Sequence, residues 1–292
     1  MPGRSWLRDR VSHRINGTIQ RVIRDDGHQP AAADWDTLVV LDACRFDLFA
    51  HAASEFLPDL QRRGPVLSPA SATNDWLNAA FPGEYPDIVY TAGNPMVSRV
   101  APDRWHELKP VWESAFDQSI GTVPAGPVTD AALEAHEDHP HKRHIVHYLQ
   151  PHAPLRDGNG GWTGWQSFRD FEPDSGGYKN IWLAASDGAV SLDTLRSLYR
   201  ETLLYALKEV RQLLDEIGGR VAITSDHGNY IGERGWPVPI KQFGHPPGHS
   251  QTAVRRVPWT VRPGERRRID TAEVTESDAM PQAAQLEALG YR

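Results

Sequence analysis

Cysteine is all but missing from this chain. Cys44 is the only one, which excludes an internal disulfide and leads to the expectation of a reducing, cytoplasmic location. Long apolar runs are missing too: no stretch reaches the ~18 residues that cross a bilayer, and residues 1–30 lack the apolar core of a secretory signal. A non-spanning protein, at most peripheral to a membrane, is the expectation. Lysine is confined to Lys109, Lys142, Lys179, Lys208 and Lys241. With a net charge of -7 and a pI near 6.0, the chain is no candidate for a nucleic-acid binder, which needs clustered cations against the phosphate backbone. An anionic small substrate would need a local positive centre. Nothing in the sequence sets an oligomeric state.

What is present begins with a basic segment. Across residues 4 to 24, Trp6, Leu7, Val11, Ile15, Ile19, Val22 and Ile23 recur at helical spacing among Arg4, Arg8, Arg10, Arg14, Arg21 and Arg24. Such a helix packs on its own domain or lies on an anionic membrane surface. We assign residues 1–33 to this helix and a link, and residues 34–292 to a single α/β domain. There Thr37 to Asp42, Asp87 to Thr91, His144 to Leu149 and Val221 to Ser225 read as buried strands. Phe46 to Phe56 and Ser191 to Ile217 read as helices, the latter stopped by Gly218 and Gly219. Pro65 to Leu67 reads as a short strand. Residues 93–127 read as loops and short helices, residues 157–188 as a long excursion, and Pro281 to Leu289 as a closing helix. Alternating strands and helices imply a mainly parallel central sheet with helices on both faces. Ligands in such sheets bind beyond the strands' carboxyl ends.

Asp42, His152, Asp226 and His227 all fall at such ends. An adjacent carboxylate and imidazole, Asp226 and His227, together with Asp42 from another strand, form part of a shell for a divalent cation, Zn or Mn by ligand chemistry, with Mg or Ca as alternatives. A hydroxyl would complete it as both ligand and nucleophile. Thr73, at the start of a helix whose first N–H groups favour phosphate oxygens, is the candidate and Ser71 the alternative. Ser71, Thr73 and Asn74 are also candidate plain N-caps. His152, held between Pro151 and Pro154, and His245 are candidates for a proton donor or phosphate contact. His144 reads as an exposed polar residue and Cys44 as a small packing residue.

The segments Val39 to Asp47, Gln150 to Pro154, Thr224 to Gly228 with Gly232 and Glu233, and Gly244 to Pro246 occur in the order found in sulfatase-like members of the alkaline phosphatase superfamily. The chain resembles that branch from about Asp36 to Trp259, and the terminal Leu286 to Tyr291 looks like its last helix. The resemblance implies a metal at the sheet's carboxyl edge held by Asp42, Asp226 and His227, and a hydroxyl nucleophile, with Thr73 in its place. Arg45 joins His147 and His249 as a candidate contact to a second metal or to substrate.

Two features depart from true sulfatases. No C-x-P-x-R or S-x-P-x-R signature lies near residues 68 to 76, and Ala43 stands where a second Asp would follow the first ligand. What is left resembles phosphatases, phosphodiesterases and the phosphoethanolamine or glycerophosphate transferases. The expected function is thus metal-dependent hydrolysis or transfer of phosphate-type, less readily sulfate, esters. The alternative is a non-catalytic binding or scaffold protein in cell-surface polymer assembly.

Overall fold

The computed structural model describes residues 4–22, 26–58, 60–163 and 181–270. Helix α1 (Arg4–Val22) leads to β1 (Thr37–Leu41), α2 (Phe46–Phe56), β2 (Gln61–Leu67), α3 (Thr73–Ala80), β3 (Tyr85–Ala92) and α4 (Met96–Val100). Then follow β4 (Trp105–Lys109), α5 (Val111–Ala115), α6 (Ala125–Asp138), β5 (Arg143–Tyr148) and α7 (Ile181–Ser186). The long helix α8 (Leu192–Glu216) precedes β6 (Val221–Thr224), β7 (Tyr230–Arg234), β8 (Lys241–Gly244), α9 (Thr252–Arg255) and β9 (Arg256–Arg262).

A seven-stranded sheet in the order β2-β9-β6-β1-β5-β3-β4 forms the centre. β1 pairs in parallel with β5 and β6, and β3 in parallel with β5 and β4, whereas β9 runs antiparallel to both its neighbours. The expected mainly parallel sheet is therefore what the chain forms. Because side chains alternate along a strand, β1 feeds two cores. Val39 and Leu41 face Phe49, Val128, Leu203 and Val210 from α2, α6 and α8, while Leu38 and Val40 face Trp76 and Leu77 of α3. Burying each such large apolar side chain contributes about 1.5–3 kcal/mol, which is why a strand buried on both faces anchors the middle of the sheet.

Several local expectations need correction. β4 and β9 lie where no strand was expected. α6 forms despite Gly126 and Pro127, because proline is tolerated in a helix's first turn, where its missing N–H has no partner to lose. His144 is fully buried rather than exposed: it faces inward near the start of β5 and stacks on His136 at 3.8 Å between ring centroids. The N-cap of α3 is Ala72, so neither Ser71, Thr73 nor Asn74 caps it. The closing helix at 281–289 and residues 164–180 of the long excursion lie outside the described residues, and that excursion ends in α7.

Candidate active site

The parallel register brings several polar side chains to one rim. Asp42 follows β1 directly, His147 is the next-to-last residue of β5, paired with Val40 and Ala92, and Asp226 and His227 come two and three residues after β6. Between β1 and α2 the backbone turns through Ala43, whose φ of 60° is the left-handed conformation that costs a non-glycine residue about 1 kcal/mol or more. That turn aims the Ala43 N–H at Asp226 Oδ1, 2.9 Å away. The Ala43 carbonyl accepts from the Tyr199 hydroxyl on α8. Gly228 is fixed by close approach: a Cβ there would lie 2.4 Å from the Ala253 carbonyl oxygen.

Ligand atoms of Asp42, His147 and Asp226 lie within 4.8 Å of one another. His227 Nε2 is 3.4 Å from Asp226 Oδ2 and 3.8 Å from Asp42 Oδ1, and Thr73 Oγ1 donates to Asp226 Oδ2 at 2.7 Å. Asn94, just past β3, donates to Asp42 Oδ2 and lies 3.5 Å from Thr73 Oγ1. Asp42 Oδ1, His147 Nε2 and His227 Nε2 are buried without a hydrogen-bond partner among the described residues. Leaving such an atom unpaired costs about 1–3 kcal/mol, and the gathering of Asp42, His147 and Asp226, with His227 Nε2 within 3.8 Å of both carboxylates, fits a divalent cation.

The protonation states agree. His227 Nδ1 lies 2.9 Å from the Gly228 carbonyl oxygen, an acceptor, so that nitrogen carries a proton and Nε2 is the atom turned to the carboxylates. His147 Nδ1 meets the Tyr90 hydroxyl at 2.8 Å, and burial pulls this imidazole down to about 4, keeping it neutral. Burial and the neighbouring Asp226 charge push Asp42 well above the usual carboxylate range. Burial would raise Asp226 as well, but His227, His147 and the Ala43 and Thr73 donors hold it below. Two buried carboxylates beside two buried imidazoles are a donor set suited to Zn or Mn.

Next to this cluster, His152 Nε2 and His245 Nε2 lie 3.0 Å apart, and the His245 ring stacks on His227 at 4.2 Å. Burial lowers His152 to about 4 and takes His245 well below its ordinary value. The remaining candidates are placed elsewhere. Ser71 donates to the Pro246 carbonyl at 2.8 Å and accepts from the His249 N–H, while His249 Nδ1 meets the Tyr230 hydroxyl. Arg45 is tied to Asp47, Glu233 and the Asn229 carbonyl, which leaves it no free face toward substrate. Cys44 packs in the core. Sequence reasoning missed Asn94 altogether and gave His147 only a secondary part. The one signal for Asn94 was a polar residue directly after a strand and a glycine. Gly93 is required there, since a Cβ would come within 3.0 Å of the His147 carbonyl oxygen.

No family model and no curated protein matches the chain, but solved structures do. Lipooligosaccharide phosphoethanolamine transferase A, an integral membrane protein of Neisseria meningitidis, superposes with a TM-score of 0.52 at 13% identity over 80% of this chain and 48% of that one. This chain therefore spans about half the length of that protein. The C-terminal periplasmic domain of EptC from Escherichia coli, in complex with zinc, gives 0.50 at 15% identity over 82% of this chain and 76% of that one. At such identities the likeness shows the fold alone, a mainly parallel central sheet with helices on both faces that this chain shares with those transferase domains. It also corrects the cytoplasmic location expected from Cys44, because this fold occurs here in periplasmic domains. One cysteine cannot form an internal bridge in either compartment, so its presence never separated the two.

Proposed function

We propose that the protein transfers a phosphoryl-type group from an ester to an acceptor through Thr73, with a divalent cation held by Asp42, Asp226, His227 and His147. The observation that carries this reading is the Thr73 hydroxyl on Asp226, beside buried ligand atoms that have no other partner. When bound, the cation would lower the hydroxyl's pKa and offset the charge of the substrate oxygens.

This chain's residues supply the rest. Thr73 Oγ1 attacks phosphorus as its proton leaves along the hydrogen bond to Asp226, and the bond to the leaving oxygen breaks. The first N–H groups of α3, capped by no side chain, face the oxygens of the transferring group. Asn94 holds Asp42 and Thr73 in register. An N–H of the His152–His245 pair donates a hydrogen bond to the leaving oxygen, which takes its proton from water; an acceptor alcohol or water then attacks phosphorus, losing its proton to solvent, and Thr73 leaves with the proton that Asp226 held. A cavity of about 400 Å³ opens one residue past Asn94, lined by Met96, Arg99, Trp112 and Phe116 among others. It suits a substrate with an apolar portion next to its phosphate. The phosphoethanolamine transferases of this fold favour transfer over hydrolysis as the first activity to assay.

The test is metal analysis of the purified chain with turnover of aryl phosphate mono- and diesters, with and without an acceptor alcohol. About one metal per chain and ester turnover, both lost in Asp226→Ala, is the expected result. A metal-free and inactive wild-type chain would leave the non-catalytic binding protein as the better reading.

A further inference from the structure

Helix α1 is built the wrong way round for a helix that merely packs on its own domain. Among its described side chains the inward face is polar: Ser12, Asn16 and Gln20 are buried, while Val11, Ile15, Ile19 and Val22 are 51%, 41%, 38% and 83% exposed. Those four fall on one narrow stripe of an α-helix. Asn16 clamps the backbone of Val238 from both sides, its amide donating to the carbonyl at 3.0 Å and its oxygen accepting the N–H at 2.8 Å. Gln20 donates to the Trp236 carbonyl and accepts the Ser250 N–H at 2.7 Å. Gly17 sits so close that a Cβ would meet the Pro247 carbonyl oxygen at 3.3 Å and the His249 ring at 3.4 Å. The polar face thus grips residues 236–251, the stretch that carries His245 and His249.

We propose that α1 lies on an anionic lipid surface through this outward apolar stripe, joining the bilayer to the loop that positions His245. A hydrophobic face that the protein turns away from its own core calls for an external partner, and charge selects which one. Arg14 and Arg21, seven residues apart and both exposed, sit beside the stripe. Residues 1–24 also contain Arg4, Arg8, Arg10 and Arg24, with Asp9 as the lone acid, in a chain whose net charge is -7. A second copy docked by two-fold symmetry would bring this basic segment against itself, whereas anionic headgroups complement it. No helix among the described residues is long and apolar enough to cross a membrane, so α1 rests along the surface. Trp236, 52% exposed on the gripped loop, adds a side chain of the kind that settles at such interfaces.

The proposal is independent of the phosphoryl-transfer reading, because binding is measured without turnover. The full chain is sedimented with phosphatidylcholine vesicles, with and without phosphatidylglycerol. Wild type should pellet with the phosphatidylglycerol vesicles, and both high salt and the pair Arg14→Gln, Arg21→Gln should weaken this. The pair Ile15→Ser, Ile19→Ser should bind about tenfold less tightly with an unchanged melting temperature, since both side chains are half-exposed. Wild type that stays in the supernatant with both vesicle types overturns the proposal, as does undiminished binding of the Ile15, Ile19 pair. A wild-type dimer that those serines convert to a monomer, with no vesicle binding, would assign the stripe to self-association instead.

Discussion

The two ends of the central sheet carry similar residues and do different things with them. At the amino end, Asp36, His136, His144 and Arg267 are gathered around the starts of β1 and β5. At the carboxyl end stand Asp42, His147, Asp226 and His227. At the amino end the groups largely satisfy one another. Asp36 Oδ2 accepts the Arg220 N–H at 2.8 Å and Oδ1 faces Arg266 at 3.4 Å, and His136 is held between the Ala132 carbonyl and the Thr37 hydroxyl. His144 Nδ1 there lacks a hydrogen-bond partner, and Asp36 Oδ1 has only its ion pair with Arg266. At the carboxyl end the unpaired atoms come from two imidazoles and a carboxylate at separate strand ends, where Asp42 and His147 gather with Asp226 and His227 lies beside both carboxylates. A buried polar cluster that closes on itself is structural, while one that leaves its lone pairs aimed at a single point is a site for a ligand.

The largest effect expected from this comparison lies at Thr73. Thr73→Ala should lower turnover by about 10⁴-fold or more, as loss of a covalent nucleophile does, and Thr73→Ser should restore part of it. Metal content should fall little in either variant, because both carboxylates and both imidazoles stay. Full activity in Thr73→Ala would erase the functional contrast between the two ends and remove the covalent step. Ser71 is a poor substitute nucleophile, with its hydroxyl committed to Pro246 and His249.

Next in size is the histidine pair. His245→Asn should cost about 10²-fold or more in turnover, the weight of a lost hydrogen-bond donor to the leaving oxygen, with metal content unchanged. Loss of metal in that variant would move His245 from the leaving-group contact into the cation's shell, and the boundary drawn between the two groups would have to shift.

Much of the carboxyl end was legible because its strands are. β1, β5 and β6 are continuous apolar runs, so their ends, and with them Asp42, Asp226 and His227, could be placed by position alone. His147 was harder. One residue decides which face of the sheet a strand side chain takes, and only the strand pairing, which sets the ring against Tyr90, brings His147 beside Asp42 and Asp226. Asn94 depends on how β3 and β5 lie side by side, which no local pattern encodes. β4 was hidden because its sequence, WHELK, is polar and it lies at the sheet's edge. β9 was hidden by Pro258 and its flanking arginines. At the amino end the reading failed for a general reason: His144 looks exposed until α6 arrives to cover it, and α6 opens with the Gly-Pro pair that signals a turn.

The smallest expected effect concerns that amino end, and it is a matter of stability rather than turnover. Burial lowers His136 to about 4 and His144 to about 2, with Arg267 adding to both and His136 and His139 adding to His144. In the unfolded chain each returns to its ordinary value near 6.5, so below that pH the unfolded state takes up protons that the folded state refuses. The stabilisation is complete above pH 6.5 and is lost as the pH falls, through about 4 for His136 and toward 2 for His144. His144→Leu removes the larger of the two acid penalties while filling the same buried volume. Thermal melts at pH 7.5 and 4.5 should then show a drop in the variant smaller than the wild-type drop by roughly 2 °C or more, since each kcal/mol moves the melting temperature by about 2–4 °C in a domain of this size. Equal drops would mean that acid acts elsewhere, at the metal-site histidines of the carboxyl end, and that the amino-end cluster carries no share of the pH dependence. Adding the metal during the melts separates the two, because a bound cation protects only the carboxyl end from protons.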